Sequence, residues 1–562
     1  MNQLKLSIIS AVLLLLVNLS LSAQWDQELI PLDDELYELT ELLYEEAGLI
    51  IPTLARPWTR AELNNLLDRL PADKLSLPSL QLMGELSQLN NPEPSKEWEG
   101  FAFRMDMALS LEYFDHEILY SEGDVPDLYP VEYATQDHQN LLEIPFHISY
   151  FDNLYMESRI NLRETPVLDL ENEDNYTNLP SEAYDMDFMF PQRAYVSYGG
   201  EQWNVALGRF AEDWGNGRTG NMFLSPNSDY IDHFRFAALM DKFTFTYIFA
   251  SLESRVGVED IDTDGDGEID SSGVSYDSGG WSGSKSLVAH RFEFNPSKRL
   301  RISFVEGLIM GGEDFQLTLY HFNPMMLYHN WFTGNYGNSY HSLEVDYTIP
   351  NYRFYTQICL DQYQSVAESL MYPDNADEPA AYGFMAGYES THRAKSGYFH
   401  SGFEFVYTSP YLYTYDDYYN RPTNGQFYSA DTSYIIETPL GYSEGPDTIV
   451  FSLYGAYEVP REWSLTGEVR YTISGENTIE TVYPFGNDDA DLDNLTPTGD
   501  AEYEWKFALD GEKTLSEQLS VGAGVALYLK DNPEALFMSD DDETYSGTLD
   551  SVEWNCFMSY SL

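Results

Sequence analysis

Three stretches of this 562-residue chain carry residue types whose spacing could do chemistry. In Asp262-Thr263-Asp264-Gly265-Asp266-Gly267-Glu268-Ile269-Asp270, carboxylates at alternate positions can converge on one hard cation. Gly267 permits the sharp turn and the Glu268 carbonyl supplies a further oxygen, so Asp262, Asp264, Asp266, Glu268 and Asp270 form a candidate structural Ca²⁺ loop. Gly273 stands where such loops carry their last Glu, and no helix pattern flanks the run, so plain acidic chain is the competing reading. The second stretch, Gly208 to Asn221, leaves a strand pattern and enters a Gly-rich loop. There Trp214 offers a stacking face ringed by Asp213, Asn216 and Arg218, which suits a sugar ring. A tight loop folded into a barrel mouth for structural reasons fits the same residues. The third, His321-Phe322-Asn323-Pro324 with Tyr328, His329 and Trp331, is an aromatic loop. Its His321, Asn323 and Trp331 could contact the same class of ligand or simply pack.

Catalysis finds less support. The chain has no Gly-x-Ser-x-Gly elbow and no thiol nucleophile motif, and its ten His lack the spacing of a zinc enzyme. Carboxylates are too abundant for any one pair to be singled out. There are 29 Lys and Arg against 93 Asp and Glu, a net charge of −64. Phosphate backbones need a basic face, so nucleic acid is excluded as a partner. An anionic polysaccharide would need bridging cations.

The elements that must hold these loops follow from periodicity. Residues 1–23 carry Lys5, an apolar run from Ile8 to Val17 and the small residues Ser20, Ser22 and Ala23, the order of a secretory signal. No Cys stands at the cleavage site to take a lipid. Residues 24–98 read as helical: Leu36, Leu39 and Leu43 share a face before Gly48, Thr59-Arg60-Ala61-Glu62 is a capping box, and a third short helix runs over about 79–89.

From residue 99 to 562 the period becomes two. Phe101, Phe103, Met105, Met107, Leu109, Leu111 and Tyr113 alternate with polar or small residues, and Val552, Trp554, Cys556, Met558 and Tyr560 do the same at the end. Sixteen further runs, from about 140–151 to 517–530, bring the total to eighteen strands. Tight turns such as Gly199-Gly200, Asp241-Lys242 and Pro350-Asn351 alternate with long polar loops, including 116–139, 165–190, 254–285, 310–340 and 473–499. Arg104, Asp106, Glu344, Asp346, Glu404, Glu468 and Arg470 lie opposite the apolar stripes, as expected of a polar lumen. The pattern predicts an all-β transmembrane protein, an antiparallel outer-membrane β-barrel with a small helical periplasmic region and both termini in the periplasm. Cys359 and Cys556 fall on opposite wall faces and should stay unbridged.

Several motifs then resemble a known family. Leu207-Gly208-Arg209 through Trp214-Gly215-Asn216-Gly217 to Ser225-Pro226-Asn227-Ser228, then Ala289-His290-Arg291-Phe292-Glu293-Phe294, Phe322-Asn323-Pro324, and Pro439-Leu440-Gly441 with Gly445-Pro446-Asp447, are similar in order and placement to the capsule assembly proteins of Wzi type. The resemblance implies an eighteen-stranded outer-membrane barrel that attaches or organises capsular or other exported polysaccharide. It would act as a monomeric, lectin-like protein among outer-membrane lipids, with no cofactor required beyond the candidate Ca²⁺. Asn216 departs from the Pro expected in the family's Trp-Gly-Pro-Gly run. The acidity departs too, and implies a neutral glycan or bridging divalent cations. The alternative is a channel whose acidic lumen favours cations.

Overall fold

The alternation that starts at Phe101 builds a closed wall. The computed structural model describes residues 25–121, 139–163, 175–179, 186, 187, 191–254, 283–312, 315–328, 337–362, 379–429, 433–484, 495–533 and 547–562. Its wall strands are β1 (Phe101–Met105 and Ala108–Ser121), β2 (Leu142–Tyr150), β3 (Leu154–Leu162), β4 (Arg193–Gly200), β5 (Trp203–Phe210) and β6 (Ile231–Leu239). They continue as β7 (Phe243–Leu252), β8 (Ser284–Ser297), β9 (Leu300–Gly312), β10 (Gly337–Ile349), β11 (Tyr352–Gln362) and β12 (Ala381–Ala394). The last six are β13 (Gly397–Thr408), β14 (Thr448–Val459), β15 (Trp463–Ser474), β16 (Glu502–Ser516), β17 (Leu519–Asp531) and β18 (Thr548–Ser561).

Each strand pairs antiparallel with its chain neighbour, and β18 returns to β1 with Leu549 opposite Ser121 and Ser561 opposite Ala108. Closure leaves no sheet edge unpaired, which a bilayer requires. The eighteen strands expected from periodicity are all present. Several strands run past the bounds read from alternation, as β12 does to Ala394 and β16 to Ser516; β1 runs on to Ser121, where alternation had faded, because β18 supplies a backbone ladder from Ala108 to Ser121.

Side chains sort by parity. Leu207 and Leu453 are more than half exposed on the outer face, with Phe354, Trp505, Leu509 and Trp554 in the same girdle. Arg291, Glu293 and Arg301 point inward and are fully buried. Arg291 donates to both carboxylate oxygens of Glu344 at 2.7 Å, and Arg301 Nη2 lies 2.8 Å from Asp346. Buried charge is tolerated only when paired in this way. Cys359 is buried, Cys556 is exposed, and both are free thiols.

Residues 25–98 fold as three helices, α1 (Leu36–Ala47), α2 (Arg60–Asp68) and α3 (Leu77–Leu89). Thr59 Oγ1 accepts from the Glu62 amide and Glu62 Oε2 from the Thr59 amide, the reciprocal cap read in the sequence. α1 stops at Gly48 with φ +63°, and a Cβ there would sit 2.6 Å from Pro350, so the glycine also lets the helix reach the β10–β11 turn. The segment seats against the short-turn end of the barrel. The Asn351 amide donates to the Glu45 carbonyl at 2.9 Å, the Ile50 amide to the Lys298 carbonyl at 2.9 Å, and Arg69 Nη1 reaches the Met240 carbonyl at 3.5 Å. From there the chain rises into the lumen. The Ile51 carbonyl accepts from Arg301 at 2.7 Å, and the Leu54 amide donates to Glu293 at 3.0 Å.

Candidate functional site

The loop from β5 to β6 turns inward and meets this segment inside the barrel. Asp213–Trp214 pairs antiparallel with Ala55–Arg56, and the Gly215 amide donates to the Leu54 carbonyl at 3.3 Å. Gly215 and Gly217 allow the turn: a Cβ at Gly217 would lie 1.6 Å from the Gly220 carbonyl oxygen.

Trp214 is fully buried. Its ring is parallel to Phe223 at 6.0 Å, and Phe223 in turn stacks on Tyr340 of β10 at 4.3 Å. Its indole N–H donates to Glu212 at 2.7 Å, and the other Glu212 oxygen lies 3.0 Å from His233 Nε2. A sugar ring therefore has no free face of Trp214 to stack on; the tight structural loop is the arrangement found.

Asp213 lies between Arg56 at 3.3 Å and the Asn221 amide group at 2.6 Å. Burial pushes its carboxyl above the usual range, with Arg56 working against that shift. Asn216 donates to Asp346 of β10, a bond that a Pro at this position could not make. The amides of Arg218 and Thr219 donate to Glu404 of β13 at 2.8 and 2.9 Å. The Arg218 guanidinium is the most open of these groups, 4.7 Å from the Tyr454 ring centroid and 4.0 Å from Glu38. It borders a cavity of about 960 Å³ between α1, the infolded loop and β12–β16, bordered by Glu38, Glu458, Trp463 and Glu512 as well.

A second infolded connection, through its described residues 409–429 and 433–447, covers the first. The Ser225 amide donates to the Leu440 carbonyl at 2.8 Å, Asn227 Nδ2 bonds the carbonyls of Pro439 and Gly441 at 2.7 Å, and Tyr413 Oη donates to the Met222 carbonyl at 2.6 Å. Trp214, Met222, Phe223, Leu412, Tyr413, Leu440 and Tyr442 form one buried apolar cluster inside the barrel.

The other sequence-derived residues lie elsewhere. His321 and Asn323 sit outside the wall, in the connection from β9 to β10, so the structure does not bring them together with Asp213, Trp214, Asn216 and Arg218. His321 Nδ1 accepts from the Thr318 amide at 3.0 Å and Asn323 Oδ1 from the Met325 amide at 3.1 Å. Trp331 and the acidic run with Asp262, Asp264, Asp266, Glu268 and Asp270 fall outside the described residues. Sequence reasoning singled out Glu404 and Asp346 as lumen residues by parity. It missed the partners that the N-terminal segment supplies, Glu28, Glu41 and Arg56, because nothing in a helical pattern signals which barrel charge it will meet.

Comparison with known proteins decides the family. The model of the family described as "Capsule assembly protein Wzi" matches residues 106–533. The chain belongs to the capsule assembly protein Wzi family. Among solved structures, it is similar to Wzi of Escherichia coli, described as an outer-membrane protein involved in group 1 capsule assembly and a carbohydrate-binding β-barrel. The TM-score is 0.58 at 12% identity, over 94% of this chain and 98% of that one. Two Pseudomonas aeruginosa barrels, OccD3 and OccK3, match at TM-scores of 0.39 and 0.40 with 10% and 9% identity, over 82% of this chain and 91% and 95% of theirs. No curated protein matches. The Wzi-family assignment and the closed wall make this an outer-membrane β-barrel of capsule assembly, and the infolded Trp214 loop packs inside its lumen beside the cavity.

Proposed function

We propose that this Wzi-family barrel binds exported polysaccharide at its long-loop end and holds it at the cell surface without chemical change to the glycan. The observation that carries the reading is the use made of the β5–β6 connection. Its Trp, Asn and backbone amides are spent on Ala55, Asp346 and Glu404, so the loop is committed to internal packing and the outer surface is left as the working face. The solved Wzi of Escherichia coli, which shares this fold, is described as carbohydrate binding, and that supports the same ligand class here. With a net charge of −64, the glycan is either neutral or bridged by divalent cations. The short-turn end, where residues 25–98 seat, is periplasmic, and the barrel works as a single copy.

A glycan array run on the detergent-folded protein, with and without a chelator, tests this. Retention of capsular glycans is expected, and a loss on chelation identifies bridging cations. No retention in either condition, together with a normal capsule on cells lacking the protein, overturns the proposal. The acidic cavity beside Arg218 favours a second reading, a cation-favouring channel, which requires steady conductance in a planar bilayer.

A further inference from the structure

Parity places His290, Glu306 and His341 on the outer face of the wall, since their chain neighbours Arg291, Val305 and Ser342 point inward and are buried. They form one cross-strand row with Tyr247: the ladder sets Tyr247 opposite His290, His290 opposite Glu306, and Glu306 opposite His341. His290 Nε2 hydrogen-bonds Glu306, and His341 Nε2 lies 3.5 Å from it. The rows on either side are apolar but for one serine. Phe245, Phe292, Phe304 and Leu343 lie toward the turn end, and Phe249, Val288 and Leu308 with Ser339 toward the loop end. The polar row is thus set within the band that faces hydrocarbon, where an uncovered carboxylate is costly.

It is not uncovered. Residues 315–328 of the β9–β10 connection lie over it. The Tyr328 amide donates to Glu306 at 2.8 Å, the Tyr328 ring stacks on His290 at 5.3 Å, and Phe322 packs on Phe249 at 4.3 Å. The Glu306 side chain is left 4% exposed, and Val288 and Leu308 are fully buried although both belong to the lipid-facing parity. The strap satisfies part of its own backbone through His321 to Thr318, Asn323 to Tyr320 and Met326 to Asn323 bonds, as a non-helical segment at membrane depth must. What it presents outward is mainly apolar: Leu319 is 89% exposed, Met325 73% and Leu327 68%, beside the exposed polar Gln316, Thr318 and Asn323. Phe315 and Met326 of the strap pack in one apolar cluster with Phe243, Phe245, Phe249 and Phe292 on the outer face of the wall, so the strap is continuous with the girdle.

We propose that residues 315–328 are a membrane-seated strap whose Leu319, Met325 and Leu327 contact lipid acyl chains while its inner side walls off the His290–Glu306 pair. The inference does not depend on the glycan reading. Continuity with the girdle argues for lipid as the occupant. The test uses the full chain in dioleoylphosphatidylcholine vesicles in a Cys556→Ser background, the remaining Cys359 being buried. Spin labels are placed at Leu319→Cys or Met325→Cys, at Val525→Cys as a girdle reference, and at Asp241→Cys as a reference on an exposed turn. All replaced side chains are solvent- or lipid-exposed, and only the heat-modifiable folded fraction is read. Labels at 319 and 325 should show, as at 525, a several-fold higher ratio of collisions with oxygen to collisions with a water-soluble nickel chelate than at 241. Equal access of the chelate at 319, 325 and 241 overturns the proposal. So does spin–spin broadening at 319 that disappears on dilution with unlabelled protein, which would make a second copy the occupant.

Discussion

Glu28 shows how single side chains hold the lumen closed. It is buried, with Arg60 Nε at 2.8 Å and Arg104 Nη2 at 2.9 Å, so one carboxylate separates two guanidinium groups. Burial opposes its charge, but Arg60 and then Arg104 outweigh burial and hold the carboxyl well below the usual range. A depressed carboxyl contributes stability that is fully present above the ordinary Glu value and disappears only as the pH falls through the lowered one. Glu28→Ala leaves two buried cations facing each other, and such loss of one partner costs about 3–5 kcal/mol. Urea unfolding of the barrel in detergent at neutral pH should show a loss of that size. A loss below about 1 kcal/mol, the value of an exposed pair, would mean that water reaches the site.

At the scale of elements, the attachment of the N-terminal segment should depend on pH through Asp26. Burial, then the like charges of Asp152 and Glu201 on the neighbouring turns, raise this carboxyl to about 6. The docked state therefore holds its proton more tightly than the undocked state, and attachment weakens as pH rises from about 4 through about 6. Asp26→Asn should protect the amides of Leu29 and Ile30 from hydrogen exchange more than the wild type does above pH 6, with the advantage vanishing near pH 4. An advantage of equal size at both values would refute the assignment. The helices of this segment were legible because capping and stop signals are local: Thr59 with Glu62, and Gly48. The wall was legible because parity repeats along every strand. The destinations of the loops were not, since Asn221 bonds Gln357 and Asn227 bonds Gly441, partners more than a hundred residues away. Trp214 read as a ligand platform for that reason, while Phe223 and Tyr340 occupy its stack. One signal was present and went unused: Glu306, flanked in the sequence by Phe304 and Leu308 at the same parity, marks a place where the lipid face had to be covered.

An eighteen-stranded wall is wide enough to leave an aqueous channel, so the electrical behaviour of the whole molecule depends on what fills it. Two layers do so: residues 25–98 from the turn end, and residues 211–230, 409–429 and 433–447 from the other. Arg353 of β11 ties the first layer to the wall, with Nη1 3.0 Å from Glu41, Nε 3.5 Å from Glu45, and a further bond to Glu389 of β12. The intact protein should give no conductance steps in a planar bilayer. Arg353→Ala removes the cation shared by three carboxylates at the edge of the 960 Å³ cavity, and their mutual repulsion should loosen α1. Brief steps favouring cations are then expected, because twelve Asp and Glu against four Arg line the cavity they would cross. Steady conductance by the wild type would show that the two layers do not seal the lumen and would favour the channel reading. Silence of both proteins would assign the seal to the infolded Trp214 loop, whose anchors at Asp346 and Glu404 do not involve Arg353.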